Sequence, residues 1–285
     1  MNIKAVARIE AITGVLVAGV QPLTGGCVGD VFAIELADGG SLVAKVGDTG
    51  SGLGVEGFML QYLAEKGAGL PVPEVLHADD KLLLMKRLSG GDDIDARAER
   101  HAADLVAALH DVTNPCFGFE RDTIIGGLHQ ANPPGNSWLE FFRDHRLLDM
   151  GHRGVTSGRL PKTLMSRLER LAGRLGDWIE ESARPSLVHG DMWGGNVLCQ
   201  NGWITGFIDP AIYFADAEIE LAFTTLFGTF GHDFFERYQE YRPIKPGFFE
   251  ARCELYNLYP LLVHVRLFGG SYVHSVENTL RRFGC

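Results

Sequence analysis

Three polar side chains lie at the ends of short apolar segments in the second half of the chain. Residues 186–198 read SLVHGDMWGGNVL, in which Asp191 and Asn196 are five residues apart, and Asp209 follows the next apolar run, which ends at Ile208. Short apolar runs bounded by glycine and proline are typical of buried strands. The sequence therefore predicts short strands that hold these three side chains in one place, and this feature constrains the fold more than any other.

The order and spacing of these side chains suit phosphoryl transfer. Transfer from ATP needs a carboxylate that accepts the hydroxyl proton and oxygen ligands that hold magnesium against the phosphates. The step from Asp191 to Asn196 matches the kinase catalytic loop, in which the Asp is the base and the Asn binds magnesium. Asp209 then takes the place of the second magnesium ligand. Each residue alone is better explained by turn chemistry, but turn chemistry does not explain their order between apolar strands.

Two charged residues in the first part of the chain complete a kinase pattern. Lys45 lies in the apolar segment 42–46, so its stem can pack while its ammonium reaches the ATP phosphates. Glu56 opens the following helical segment and is placed to pair with Lys45. Either residue alone is equally well explained as an outward-facing strand lysine or as a carboxylate that complements the helix dipole. Their order relative to the downstream Asp, Asn and Asp favours the functional interpretation.

Two glycine-rich segments compete for the role of phosphate loop. The first separates the first two predicted strands, where a kinase glycine loop covers the nucleotide, and consists of Gly25, Gly26, Cys27, Val28 and Gly29. The second, residues 47–54, is expected to be a link, and neither matches a Walker A loop. Backbone groups at the junction of the two lobes are expected to bind adenine, and this junction consists of Met85, Lys86, Arg87 and Leu88.

The pattern of apolar residues divides the chain into two lobes. Residues 1–88 contain five strand-like segments around one helix at 56–66, with a hairpin signal at 38–40. Residues 89–285 are mainly helical, with amphipathic segments at 96–110, 138–150, 161–182 and 217–230. The prediction is an α+β, bilobal, protein-kinase-like fold. It places a five-stranded antiparallel sheet in an N-terminal nucleotide-binding lobe and assigns catalysis and substrate binding to a larger, mostly helical lobe.

Charge and cysteine content exclude several other classes of protein. A formal net charge of −10 argues against a nucleic-acid partner, which needs a basic face. The five cysteines contain no Cys-x-x-Cys pair, so neither a disulfide framework nor a zinc site is indicated, and a reducing cytoplasm is expected. The most apolar C-terminal stretch, residues 255–268, is too short and too polar to span a bilayer, so no membrane partner is expected.

Several short motifs outside the catalytic loop point to one kinase family. They include FG at 117–118, IGGLHQ at 125–130, WLEFF at 138–142, ELA at 220–222, LFG at 226–228 and LFGG at 267–270. Together with the loop from His189 to Asn196, they resemble the fructosamine (ketosamine) kinase family, which is related to aminoglycoside phosphotransferases within the protein-kinase-like fold. Aminoglycoside and choline kinases generally lack the middle group of these motifs.

The resemblance implies that ATP, with Mg²⁺, phosphorylates the C3 sugar hydroxyl of a ketosamine, the adduct of a reducing sugar and an amine. The product is unstable and releases the amine, so the activity would repair glycation. In this assignment Asp191 is the base, Asn196 and Asp209 bind magnesium, and the phosphates are held by Lys45 and Glu56.

The resemblance also assigns substrate and redox roles. Trp193 and His189 would contact the ketosamine, which is fructosamine or ribulosamine and is free or part of a glycated protein. Packing between the lobes explains Trp193 equally well. Cys27 resembles a family cysteine linked to redox control, so the chain is expected to be a monomer or a redox-sensitive homodimer.

Two other functions stay open at the level of sequence. One is a kinase that acts on another small hydroxyl compound, such as an aminoglycoside or a vitamin-like alcohol, because a fold does not fix its substrate. The other is a catalytically silent nucleotide-binding regulator, which the presence of the complete catalytic set argues against. Departures from the family pattern, such as Gly194, His129 and Glu220, concern the substrate rather than the fold.

Overall fold

The N-terminal part of the chain forms a five-stranded antiparallel sheet. The computed structural model describes residues 1–23, 29–181 and 184–285. Strands in this sheet follow the order β1-β2-β3-β5-β4, and their bounds are β1 Val17–Pro22, β2 Asp30–Leu36, β3 Ser41–Val46, β4 Val75–Ala78 and β5 Leu82–Lys86. The structure confirms the predicted five-stranded antiparallel sheet, in which the first three strands are neighbours in chain order and β5, not β4, pairs with β3. The predicted hairpin at 38–40 joins β2 to β3, where Gly39 has a φ of 89° that favours glycine.

Two helices accompany this sheet, whereas the sequence assigned one to it. Helix α1, Ile3–Thr13, begins where the side chain of Asn2 accepts a hydrogen bond from the Ala5 amide. Helix α2, Leu53–Lys66, starts one turn before the predicted position, because Gly52 with a φ of 86° redirects the chain there. Glu56 is therefore in the first turn of α2, as predicted.

The alternation of residues in β3 decides which face of the sheet carries Lys45. Leu42 and Ala44 pack in one apolar cluster with Ile9 of α1. Val43 packs on the other side with residues of α2 and β5. Successive side chains of a strand point to opposite faces, so Lys45 shares the face of Val43, towards α2.

Most of the remaining chain is helical. The helices are α3 Ala96–His110, α4 Trp138–Phe142, α5 Asp149–Thr156, α6 Lys162–Ala172, α7 Glu218–Leu226, α8 His232–Tyr241, α9 Cys253–Phe268 and α10 Ser271–Arg282. Residues 143–148 continue α4 into α5 as a π-helical turn, so the second predicted helix runs further than residue 150. The third ends at Ala172 rather than 182, and a short 3-10 turn, Leu175–Asp177, follows it. The predicted fourth helix is shorter at both ends.

Three small antiparallel pairs of strands lie among these helices. They are β6 Thr123–Ile125 with β7 Leu128–Gln130, β8 Ser186–Val188 with β11 Tyr213–Ala215, and β9 Val197–Gln200 with β10 Trp203–Phe207. The strands on either side of the His189–Asn196 loop are present, but they pair with later strands and not with each other. The loop therefore links two separate pairs of strands, which fix its two ends.

One large apolar core underlies the helical part. Its largest fully buried side chains include Trp138, Phe142 and Tyr256, whose rings contact each other. In the part of the chain that the structure describes, no helix has the length and apolarity to cross a membrane.

Candidate active site

The loop after β8 is clamped against the segment that follows Asp209. The Ala211 amide donates a hydrogen bond to the His189 carbonyl at 2.7 Å. Gly190 has a φ of 85°, and a Cβ there would lie 2.2 Å from the Ala211 carbonyl oxygen. Only glycine fits a positive φ and so close an approach of backbone to backbone. The two segments that carry Asp191 and Asp209 are thereby held together.

Asp191 and Asn196 face each other across the turn between them. The Asn196 side-chain amide donates to the Asp191 carbonyl at 2.8 Å and to its carboxylate Oδ2 at 3.1 Å. Both donor hydrogens are used in this way, so the Asn196 Oδ1 is left to act as a ligand. Burial, followed by repulsion from the Asp209 carboxylate, raises the pKa of Asp191 to about 8. Asp191 is thus a partly buried carboxyl group with a raised affinity for a proton.

The Lys45 ammonium lies between two carboxylates. Its Nζ donates to Glu56 Oε1 at 2.7 Å and also to Asp209 Oδ1. Burial raises the pKa of Glu56 to about 7 although Lys45 opposes that shift. Burial also acts to lower the pKa of Lys45, but the two carboxylates outweigh it and hold that pKa above its usual value. Lys45 therefore stays charged and joins α2 to the segment that carries Asp209.

Asp209 has a φ of 55°, which few residues other than glycine, asparagine and aspartate adopt. The backbone of the preceding Ile208 donates to the Asn196 carbonyl at 3.0 Å. Both oxygen-bearing side chains, Asn196 and Asp209, consequently lie on adjoining segments. An amide oxygen and a carboxylate suit magnesium, which keeps several positions for water and phosphate oxygens. No cluster of three or more His, Cys, Asp or Glu that could hold a metal occurs in the described ranges.

The side chain of His189, which the sequence assigned to the substrate, lies behind the loop in the structure. Its side chain is fully buried and packs against Phe207, with ring centroids 5.9 Å apart. Burial lowers the pKa of His189, so the ring is neutral and its Nδ1 can accept from the Asp191 amide at 3.4 Å. His189 supports the loop from behind and does not line the cleft.

Glu220 of α7 anchors the same loop. Its fully buried carboxylate accepts from the Gly190 amide at 2.7 Å, the His189 amide at 3.2 Å and His110 Nε2 at 3.0 Å. Burial acts to raise its pKa, but the hydrogen bonds from His110 and Gly190 outweigh burial and leave that pKa below its usual value. In the sequence, Glu220 was noted as part of the ELA motif and as a departure from the family pattern. Its contact with the loop was not predicted.

A cleft of about 520 Å³ brings most of the predicted site residues together. Its lining includes the predicted adenine contacts Met85, Lys86, Arg87 and Leu88 and apolar residues that the sequence did not single out, namely Val31, Val43, Leu198 and Ile208. The same cleft is lined by Lys45, Glu56, Asp191, Trp193, Asn196 and Asp209. The Lys86 ammonium itself pairs with Glu74 at 2.6 Å, so only its backbone is suited to adenine.

The predicted phosphate loop is described only at its last residue. Gly25, Gly26, Cys27 and Val28 lie outside the described residues. Gly29 has a φ of 69°, and a Cβ there would lie 2.6 Å from the Val46 carbonyl oxygen, so it packs against the end of β3. Its role in nucleotide binding stays a prediction.

An aromatic group that the sequence did not connect continues from Asp191 to the end of α9. Trp193 is 40% exposed, and its ring folds over Gly195, where a Cβ would lie 2.3 Å from the indole. The ring centroids of Trp193 and Phe227 are 6.1 Å apart, and those of Phe227 and His264 are 5.0 Å apart. The sequence contains both Trp193 and the LFG motif at 226–228, but only the folded structure shows that Trp193 and Phe227 are in contact.

The comparisons with known proteins show the family to which the chain is similar. The sequence profile of the family described as fructosamine kinase matches residues 4–283. A relative from Synechocystis sp., named "Probable ketoamine kinase", is 36% identical over 62% of this chain and 59% of its own length. The chain thus aligns with less than two thirds of that relative. The mouse protein named ketosamine-3-kinase is 32% identical over 81% of this chain and 72% of its own length.

Solved structures of related proteins have the same fold. The crystal structure of a "putative fructosamine-3-kinase" from Thermobifida fusca superposes with a TM-score of 0.87, 31% identity, and coverage of 97% of this chain and 96% of that one. An aminoglycoside phosphotransferase in a ternary complex with ADP and hygromycin B has a TM-score of 0.69 at 18% identity, over 98% of both chains. That second similarity concerns the fold alone. It confirms the predicted bilobal kinase-like architecture.

Proposed function

The chain belongs to the fructosamine kinase family, and from this premise we propose that it transfers the γ-phosphoryl group of ATP to a sugar hydroxyl of a ketosamine. The observation that carries the proposal is the convergence of Lys45, Glu56, Asp191, Asn196 and Asp209 in one cleft. A strand lysine, a helix glutamate and two magnesium-type ligands beside a partly buried carboxylate form the set that phosphoryl transfer needs.

Asp191 is the proposed base. With a pKa of about 8 its carboxyl group holds a proton near neutral pH. Neutralising the nearby charge of Asp209 would lower that pKa, so that the ionised carboxylate could accept a hydroxyl proton. Asn196 Oδ1 and Asp209 are the proposed ligands of Mg²⁺, which would neutralise charge on the phosphates when bound. Lys45, fixed by Glu56, is the proposed cation for those phosphates. This geometry supports transfer without a covalent enzyme intermediate.

The aromatic group beside Asp191 is the proposed acceptor side of the cleft. Trp193 and Phe227 are both 40% exposed, and aromatic faces pack well against the apolar face of a sugar ring. His264 donates from Nδ1 to the Pro260 carbonyl at 2.7 Å in the tautomer that leaves Nε2 free to accept a hydroxyl. Phosphorylation at C3, as the family resemblance implies, is the regiochemistry we propose for this acceptor.

The proposal extends to the substrate, the oligomeric state and the cellular location of the protein. We expect a small-molecule ketosamine or a glycated lysine as substrate and a cytoplasmic location. We also retain residues 1–88 and 89–285 as the proposed lobes, and a monomer or a Cys27-linked homodimer as the proposed state. Non-reducing gels of wild type and Cys27→Ser under oxidant test the dimer, and identical monomer bands would remove it.

A substrate panel tests the function. ADP release would be measured with fructosamine and ribulosamine adducts of lysine, free lysine, free fructose, an aminoglycoside and a vitamin-like alcohol. We expect turnover with at least one ketosamine and ³¹P NMR signals of a phosphate ester at C3. Turnover only with the aminoglycoside or the alcohol would assign a different kinase, and no turnover with any acceptor would favour a silent regulator.

A further inference from the structure

The β6–β7 hairpin is held at its base by buried hydrogen bonds. Gln130 donates to Thr123 Oγ1 at 2.9 Å and to the Ala211 carbonyl at 3.0 Å, and its Oε1 accepts from Tyr259 of α9 at 2.6 Å. Ala211 is two residues past Asp209. The hairpin is therefore tied to the segment that presents the second proposed magnesium ligand.

A fully buried arginine supports the chain that leaves this hairpin. Arg146 donates to the Ala131 carbonyl at 2.8 Å and to Asn132 Oδ1 at 2.6 Å, and its guanidinium lies 3.9 Å from the ring centroid of Tyr213. A buried cation held by this many oriented groups has few alternative positions. The base of the hairpin is therefore rigid, and its tip is presented in one position.

The tip of the hairpin lines the cleft that holds the predicted site residues. Gly126 and Gly127 line the same cleft as Asp191 and Trp193. Ile124 contacts the N-terminus of α2, since a Cβ on Gly52 would lie 2.9 Å from the Ile124 side chain. Ile124 thus contacts the start of α2 and Gln130 contacts the segment after Asp209, so the hairpin that carries the tip is fixed beside the proposed site of phosphoryl transfer.

The two glycines expose backbone hydrogen-bonding groups. Their φ angles of 54° and 79° are those of a two-residue type I′ turn, which joins Ile125 to Leu128. Neither their amides nor their carbonyls form a hydrogen bond with another group of the described residues. A turn without side chains thus offers both donors and acceptors to the cleft, which matches the chemistry of a ligand with several hydroxyl groups.

We infer that the Gly126–Gly127 turn is a second wall of the acceptor subsite, in addition to Trp193, and that its backbone groups bind sugar hydroxyls. This inference rests on the proposed kinase function. It assigns the turn to acceptor selectivity and not to ATP binding. Bare glycines let the sugar approach the backbone closely, whereas any side chain would occupy that space.

Gly126→Asn tests the inference, because asparagine tolerates a positive φ while adding a side chain. Gly158→Asn is the matched control: Gly158 has a φ of 71°, no atom lies within 4 Å of a Cβ there, and it is outside the cleft. We expect Gly126→Asn to raise the acceptor KM by about tenfold, the scale on which a pocket senses one added group, and to leave the ATP KM within about twofold. Gly158→Asn should change neither.

The outcomes separate this inference from the proposed function. The acceptor would be the best substrate of the panel, and melting curves would confirm that each variant folds. If Gly126→Asn does not fold, Gly127→Asn decides in the same way. An unchanged acceptor KM, or a rise in the ATP KM instead, overturns the subsite while the kinase function stands. A wild type that phosphorylates no acceptor overturns both.

Discussion

Lys45 Nζ lies 2.7 Å from Glu56 Oε1, and both side chains are buried. The contact joins strand β3, which carries Lys45, to helix α2, which carries Glu56. The same ammonium reaches Asp209, which adds a third element to the contact. One cation is thus shared by two carboxylates, with the Asp191 carboxyl close by. Burial, followed by this excess of negative charge, raises the pKa of Asp191. The excess charge also favours the binding of a divalent cation.

Glu56→Gln should reduce phosphoryl transfer while the fold is kept. The amide has the shape of the carboxylate but does not fix the Lys45 ammonium by charge. We expect kcat to fall by roughly 10² fold, the scale for loss of one preorganised electrostatic group. Steady-state kinetics measure this change. Glu74→Gln is the control, since Glu74 pairs with Lys86 on the exposed face and should leave kcat unchanged. Equal kinetics for both variants would contradict the role of Glu56.

Trp193→Ala should weaken binding of the acceptor and not of ATP. Removing an aromatic face that contacts a sugar costs about 1–2 kcal/mol, which corresponds to an acceptor KM roughly ten times higher. Trp203→Ala is a matched control because Trp203 is 46% exposed, close to the 40% of Trp193, but packs against Arg97 and His101 outside the cleft. If the two variants had the same acceptor KM, Trp193 would be assigned to packing alone.

Asp209→Asn and Asp209→Ala should lose activity equally but differ in stability. Both remove the carboxylate, and we expect kcat to fall by about 10²–10³ fold. At a φ of 55° asparagine is tolerated, whereas alanine costs about 1 kcal/mol more. Thermal melting compares the two variants. Equal melting temperatures would show that the positive φ at position 209 does not disfavour alanine. Retained activity in either variant would contradict the role of the Asp209 carboxylate.

Much of this site could be predicted because its signals are local in sequence. The spacing of Asp191 and Asn196, the strand around Lys45 and the first turn of α2 all depend on neighbouring residues. Short strands and turns specify such features directly. The five-stranded sheet was predictable for the same reason, since each of its hairpins has its own turn signal.

The parts that could not be predicted depend on contacts between distant segments. Burial of His189 against Phe207, and the contact of Glu220 with the Gly190 amide, arise only when α7 packs under the loop. A histidine beside a catalytic aspartate has the same sequence signal whether it faces the substrate or the core. The third predicted helix was too long because apolar residues near 179 continue a helical pattern beyond the turn at Gly173.

Glu220→Gln should destabilise the fold in a pH-dependent way. Removing the charge from a buried group that pairs with His110 and two amides costs about 3–5 kcal/mol at pH 7. The pKa of Glu220 in the fold lies below its usual value of 4.5. Its stabilising contribution is therefore complete above that value and is lost as the pH falls through the lower, folded-state pKa. The difference in unfolding free energy between wild type and variant should narrow in acid.

Urea denaturation at pH 7 and at successively lower pH values measures that difference. Glu236→Gln is the control, because Glu236 is exposed beside Arg100 and its loss should change the free energy of unfolding by less than about 1 kcal/mol. A constant difference between wild type and Glu220→Gln at every pH would show that the ionised carboxylate does not anchor the loop.

The most direct test of the account is phosphate transfer to a ketosamine by wild type and by Asp191→Asn, followed by mass spectrometry of the acceptor. Asparagine keeps the shape of the side chain but accepts no hydroxyl proton. If Asp191 is the base, wild type adds one phosphate per ketosamine. Asp191→Asn should transfer phosphate at a rate lower by about 10²–10⁴ fold and should bind ATP as wild type does. A variant that phosphorylates the ketosamine at the wild-type rate would contradict this assignment.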